Sequence, residues 1–149
     1  MLKARDIMST NTITVSPDAT VGTLAKIFVE NRISGAPVVD SSGSICGIVT
    51  ENDLISQNKR LHIPTVLRIF DAFIMLESPA KIEKEMQKMT ATTAGEICTK
   101  DVITVSEETP LEEVATIMAE KKIHLVPVVE GKKIKGIIGK IDLIKALAK

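Results

Sequence analysis

Two strand-to-helix junctions carry the residue types that could hold a phosphorylated or hydroxylated small molecule. The first runs Gly47-Ile48-Val49-Thr50-Glu51-Asn52-Asp53. Its glycine lets backbone approach a neighbour closely. Thr50 falls where a helix N-terminus presents unpaired N–H groups, a natural seat for a phosphate oxygen. Asp53, one turn further on, is placed to accept hydrogen bonds from a diol such as a ribose. The same residues also make a plain helix start, with Thr50 as cap and Asp53 at the positive end of the dipole. The second junction, Gly136-Ile137-Ile138-Gly139-Lys140-Ile141-Asp142, keeps glycine and aspartate but has Gly139 where the threonine stands. A hydroxyl is lost there, while Lys140 brings a charge.

Little else in the chain reads as reactive. No Gly-x-Ser-x-Gly, His-Glu-x-x-His or Walker-type loop is present. His62 sits beside Pro64 without a partner motif, and reads as surface or structural. Cys46 and Cys98 lie in neither a Cys-x-x-Cys nor a Cys/His ligand spacing. They read as two reduced residues in or near the core, with a disulfide or redox switch as the alternative. The expectation is no catalytic residue, no metal site and no cofactor. Lys+Arg 19 balance Asp+Glu 19, so nothing steers the chain toward nucleic acid or an anionic membrane.

The elements that must position the junctions appear twice. Ile13-Thr14-Val15-Ser16 returns as Ile103-Thr104-Val105-Ser106, Pro37-Val38-Val39-Asp40 as Pro127-Val128-Val129-Glu130, and Asp53-Leu54-Ile55 as Asp142-Leu143-Ile144. The offset holds at about 90 residues and slips by one only at a turn, Ser41-Ser42-Gly43-Ser44 against Gly131-Lys132-Lys133. A constant offset whose gap falls in a turn is what duplication of a folded unit leaves. Each copy begins with a β-branched strand, Ile13-Thr14-Val15 in the first. Apolar residues then recur at helical spacing, Val21, Leu24, Ala25 and Phe28, against Leu111, Val114, Ala115 and Met118. Thr109 as N-cap, Pro110 at the first helical position and Glu112 suggest a capping box. Two strands follow, 36–40 and 45–50 against 126–130 and 134–138, apolar enough to be buried on both faces. Short helices, Asn52 to Gln57 and Ile141 to Ala148, close each β-α-β-β-α copy.

Residues 1–58 therefore form a first repeat and 95–149 a second. Residues 59–94 form an insertion, with a greasy run from Val66 to Leu76 and a helix over Ala80 to Met89. A segment this long is expected to be partly helical and to pack somewhere. It is a lid over one copy, a dimer contact or a partner-docking element. The longest apolar run is broken by Arg68 and Asp71, short of the ~20 residues of a membrane span. The opening residues lack the apolar core of a signal peptide. The expected setting is soluble and cytoplasmic.

The doubled unit, with Pro-Val-Val-Asp/Glu followed by Gly-x-x-Thr-x-x-Asp, resembles the cystathionine-β-synthase-type (CBS) domain pair, or Bateman module, of the stand-alone prokaryotic kind. The resemblance implies an α/β (α+β) fold in which two pseudo-two-fold-related repeats pack sheet to sheet. It implies two composite clefts for an adenosyl ligand: AMP, ADP, ATP or S-adenosylmethionine. Carried onto this chain, cleft one is built by Ile48, Val49, Thr50, Asn52 and Asp53, facing Val102, Ile103, His124, Leu125 and Val126. His124 falls where some relatives place a phosphate-contacting histidine. Cleft two is built by Ile137, Ile138, Lys140 and Asp142, facing Thr12, Ile13, Ser34, Gly35 and Ala36. Gly139 and Ser34 depart from the pattern, so cleft two is expected to be weaker, selective for another ligand, or empty. With no Trp or Tyr, adenine would rest on the aliphatic walls Ile48, Val102 and Val126. The family implies no enzyme activity. It implies a homodimer through the faces of Leu54-Ile55 and Leu143-Ile144-Leu147, and a protein target that the sequence leaves unidentified. The competing expectation is a structural dimer with vestigial clefts.

Overall fold

A computed structural model describes residues 1–59 and 92–148. Its elements are α1 (Ala4–Ile7), α2 (Val21–Asn31), β1 (Gly35–Val39), β2 (Ile45–Thr50), α3 (Glu51–Lys59), α4 (Ala94–Ile97), α5 (Leu111–Lys121), β3 (Leu125–Glu130), β4 (Lys133–Gly139) and α6 (Lys140–Leu147). The fold mixes helix and strand around two small antiparallel sheets, β1-β2 and β3-β4. The greasy run, the helix expected over 80–89 and His62 lie outside the described residues.

The first strand of each repeat shrinks to one parallel bridge, Val15 to Val38 and Val105 to Val128. The prolines explain this. Val15 N donates to the Pro37 carbonyl at 3.0 Å, and its own carbonyl accepts from Val39 N at 2.9 Å. The next bond of the ladder would need an N–H from Pro37, which has none. Pro127 stops the pairing of Val105 in the same way. Ile13 and Ile103 are thereby left outside the sheets. Burial on both faces holds for β1 through Val38 and for the middle of β3, whereas β2 and β4 alternate.

Each core is completed from the other repeat. Ala4 of α1 is fully buried among Val105, Val114, Met118, Val126, Val128 and Ile138. Ala94 of α4 is fully buried among Val15, Leu24, Phe28, Ala36, Val38 and Val49. Ala94, expected as the last residue of the insertion, thus opens a helix in the first repeat's core.

This exchange also satisfies helix starts. Leu111 N donates to the Leu2 carbonyl at 3.0 Å, and Val21 N to that of Thr92 at 2.8 Å. The orphan donors of a first helical turn find tertiary partners. For this reason the capping box expected at Thr109 does not form. Pro110 is extended at the N-cap, bridged to Lys3, and the Thr109 hydroxyl accepts from Ser106 N at 3.0 Å instead. On the helix faces, Leu24, Phe28, Val114 and Met118 are buried, but Ala25 and Ala115 are exposed.

Candidate functional site

The seam between repeats is made by backbone. Ile48 and Thr99 exchange hydrogen bonds of 3.0 and 2.9 Å, and Ile137 and Ser9 do the same at 3.0 and 2.9 Å. Such proximity requires the glycines one residue earlier. A Cβ on Gly47 would lie 2.5 Å from Cys98 Sγ, and one on Gly136 would lie 2.8 Å from the Ser9 carbonyl oxygen. Either side of this seam opens a cleft.

Cleft one is a cavity of about 290 Å³ that brings Ile48, Thr50, Asn52 and Asp53 against Val102, Ile103, His124 and Leu125. That is at the lower edge of the ~300–1,000 Å³ of small-molecule sites. Val49 and Val126, expected to line it, are fully buried in the two cores instead. Alternate residues of a strand point to opposite faces, so Val49 turns inward between Ile48 and Thr50. Sequence reasoning missed Thr99, Asp101, Lys122 and Ile123, which also line this cleft. Asp101 adjoins Val102, and its charge was the signal overlooked.

Cleft two is about 390 Å³ and gathers Thr12, Ile13, Ser34, Gly35, Ile137, Lys140 and Asp142. Ala36 and Ile138, expected there, are fully buried in the cores. Ser9, Asn11, Arg32, Ile33, Gly139 and Ile141 were not anticipated. His124 and Leu125 border both clefts. Leu125 and Gly35 are counterparts under the internal symmetry, and a Cβ on Gly35 would come within 2.8 Å of Leu125 Cδ2. One leucine thus walls off both clefts, and its counterpart must be glycine.

The two aspartates are held alike. Asp53 Oδ2 accepts from Thr50 N at 2.8 Å and from the Thr50 hydroxyl at 3.3 Å; Asp142 Oδ2 accepts from Gly139 N at 2.7 Å. Glu51 N donates to the Ser34 carbonyl at 2.9 Å and Lys140 N to that of His124 at 3.2 Å. The helix-start reading of the junction therefore holds at both aspartates. The cap bond orients each carboxylate, and its second oxygen takes no hydrogen bond among the described residues, leaving acceptor capacity for a ligand.

Charge separates the clefts. Cleft one has the two carboxylates of Asp53 and Asp101 against the one ammonium of Lys122, net −1 with histidine neutral. Cleft two has the one carboxylate of Asp142 against Arg32 and Lys140, net +1. Arg32 and Lys122 are counterparts, and each caps its helix in the left-handed region with φ of 53° and 54°.

The cysteines differ in setting. Both are free, and Cys46 is exposed rather than in the core. Burial pushes the thiol of half-buried Cys98 up, disfavouring the reactive thiolate. Among the described residues no group of side chains could hold a metal ion, and no helix is long and apolar enough to cross a membrane.

The family model for the CBS domain matches residues 4–59 and 94–149. An uncharacterized protein of Methanocaldococcus jannaschii is 29% identical over 96% of this chain and 89% of its own length. A chloroplastic CBS domain-containing protein of Arabidopsis thaliana, CBSX1, is 29% identical over 89% of this chain, which spans only 57% of that protein. Among solved structures, the CBS domain pair of protein MJ0100, in complex with 5′-methylthioadenosine and S-adenosyl-L-methionine, superposes with a TM-score of 0.75. It is 26% identical and covers 99% of this chain and 97% of its own.

Proposed function

This chain belongs to the CBS domain family, and from that premise we propose that it is a regulatory module binding an adenosyl ligand, AMP, ADP, ATP or S-adenosylmethionine, between its repeats. The reading assigns it no catalytic step, no metal and no cofactor. The observation that carries it is the meeting of Asp53 with Val102 and Ile103 of the other repeat across cleft one. The free carboxylate oxygen would accept from a ribose diol. Ile48, Val102, Ile103 and Leu125 would sandwich the base, which suits a chain without Trp or Tyr. The adenosyl ligands held by the MJ0100 pair support the same ligand class.

The signal would pass to a homodimer, and through it to a protein target, in a soluble cytoplasmic setting. Ile55 of α3 is 55% exposed, and Ile144 and Leu147 of α6 are 57% and 84% exposed. These apolar side chains are the expected dimer faces. A ligand with different affinity for two dimer geometries shifts their balance by that difference and no more.

Thermal melting of ligand-stripped protein against the four compounds tests the reading. A bound ligand at ~100 times its dissociation constant should add about 2.7 kcal/mol, several degrees for a chain of this size. A flat response to all four would leave the structural dimer with vestigial clefts.

A further inference from the structure

We propose that the two clefts sort adenosyl ligands by charge. Cleft two holds the phosphate of a phosphorylated nucleoside between Arg32 and Lys140. Cleft one takes an adenosyl group without net negative charge, such as a 5′-thioether or a sulfonium. The inference rests on the reading that the clefts bind adenosyl ligands, and adds which class enters which cleft.

Counterpart positions carry the argument. Asp101 lines cleft one where Asn11 lines cleft two. Lys140 lines cleft two, whereas its counterpart Glu51 faces another groove, beside α2. A phosphate monoester with its charge of about −1.5 to −2 would meet two carboxylates and one ammonium in cleft one, and one carboxylate and two cations in cleft two. Thr50 does not offset this, because its amide and hydroxyl already serve the Asp53 carboxylate.

Arg32 suits the role by geometry as well. Its planar fork matches phosphate oxygens two at a time, and Lys140 adds a point charge. Neither has an ion pair among the described residues. Arg32 stands with φ of 53° at a helix end where glycine is the usual occupant. Lys122 holds the same conformation beside cleft one, so the difference between the clefts lies in the guanidinium and its companion Lys140, not in the backbone. Gly139 completes the site. A Cβ there would find nothing nearer than 3.7 Å, so packing does not demand glycine, and its effect is to leave room beside Lys140 where Thr50 fills the space in cleft one.

Titration calorimetry with AMP and with 5′-methylthioadenosine tests the sorting. Arg32→Ala and Lys140→Ala should each weaken AMP by about tenfold or more and leave 5′-methylthioadenosine within about twofold. Asp101→Asn gives cleft one the residue type of cleft two, and should add a second AMP site. The proposal is overturned if AMP binding depends on Lys122 and survives both cleft-two substitutions. It is also overturned if wild-type protein takes two AMP molecules with equal affinity. Should neither AMP, 5′-methylthioadenosine nor S-adenosylmethionine bind, the adenosyl reading itself falls and the sorting falls with it.

Discussion

The two cores and the two clefts descend from the same duplicated positions but differ between copies in different ways. Across the cores, Val15 and Val105, Val38 and Val128, and Ala4 and Ala94 are the same residue. Where they differ, size trades within the set: Leu24, Phe28, Ala36 and Val49 on one side, Val114, Met118, Val126 and Ile138 on the other. A smaller helix residue is met by a larger strand residue, as a close-packed interior of fixed volume requires. The clefts trade chemistry instead: Thr50 for Gly139, Asp101 for Asn11, His124 for Ser34. These side chains border open space rather than a filled interior, so the frame stays while the lining changes charge.

The strongest test of the shared frame is to bury a charge in each core. Ala4→Asp and Ala94→Asp should each cost about 3 kcal/mol or more, since both positions are fully buried without a partner. Hydrogen exchange should show Ala94→Asp deprotecting β1-β2 and Ala4→Asp deprotecting β3-β4. Loss of protection in the mutated residue's own repeat would break the crossed arrangement.

The seam glycines come next, at about 1–3 kcal/mol each for Gly47→Ala and Gly136→Ala. They should differ in rescue. The nearest obstacle to Gly47→Ala is Cys98 Sγ, so adding Cys98→Ala should restore part of the denaturation midpoint. Gly136→Ala also meets backbone, the Ser9 carbonyl at 2.8 Å, and Met8→Ala should recover little. Equal rescue would mean that the two halves of the seam yield alike.

Much of this was legible in the sequence. The repeat, the strand pairs and the α2 and α5 helices follow from offset and spacing, because those patterns are local. The crossed cores were not, since α1 and α4 have four residues each, too few to show a helical period. The sites were read as consecutive runs, Ile48 to Thr50 among them, where strand alternation turns Val49, Ala36, Val126 and Ile138 into the cores. Arg32 and Lys122 escaped notice because a left-handed helix end is usually marked by glycine. Thr109 misled because a contact from Leu2, far away in sequence, takes over the helix start.

The paired aspartates separate scaffold from ligand. Asp53→Ala and Asp142→Ala should each lose about 1 kcal/mol of stability, because each removes the same bond to an N-cap amide. Binding should divide them. Asp53→Ala should weaken S-adenosylmethionine or 5′-methylthioadenosine by about 1.5–3 kcal/mol and spare AMP, with Asp142→Ala doing the reverse. Calorimetry in which one substitution damages both ligands would merge the clefts into a single functional site.

The smallest difference lies at the hairpin turns. Asp40 accepts from the Ser42 hydroxyl at 2.6 Å, Ser42 N at 2.9 Å and Ser44 N at 3.0 Å. The Ser42 hydroxyl chiefly, then the Ser44 amide, hold its carboxyl below the usual value, with a smaller part from Lys133. Lys133 Nζ also donates to the Ser42 carbonyl, tying the first repeat's turn to the second. Glu130, the counterpart of Asp40, pairs among the described residues only within its own hairpin, with Lys135 at 3.2 Å. A carboxyl with a lowered folded-state pKa stabilises fully above its unfolded value, here 3.8, and loses that contribution as pH falls through the folded value. Asp40→Asn keeps an acceptor but removes the charge. It should therefore melt slightly below wild type at pH 7, with the gap closing in acid. The exposed position keeps the gap small. Lys133→Met should narrow it further by removing the cross-repeat charge. A gap that persists unchanged in acid would show that turn geometry, not carboxylate charge, distinguishes the two hairpins.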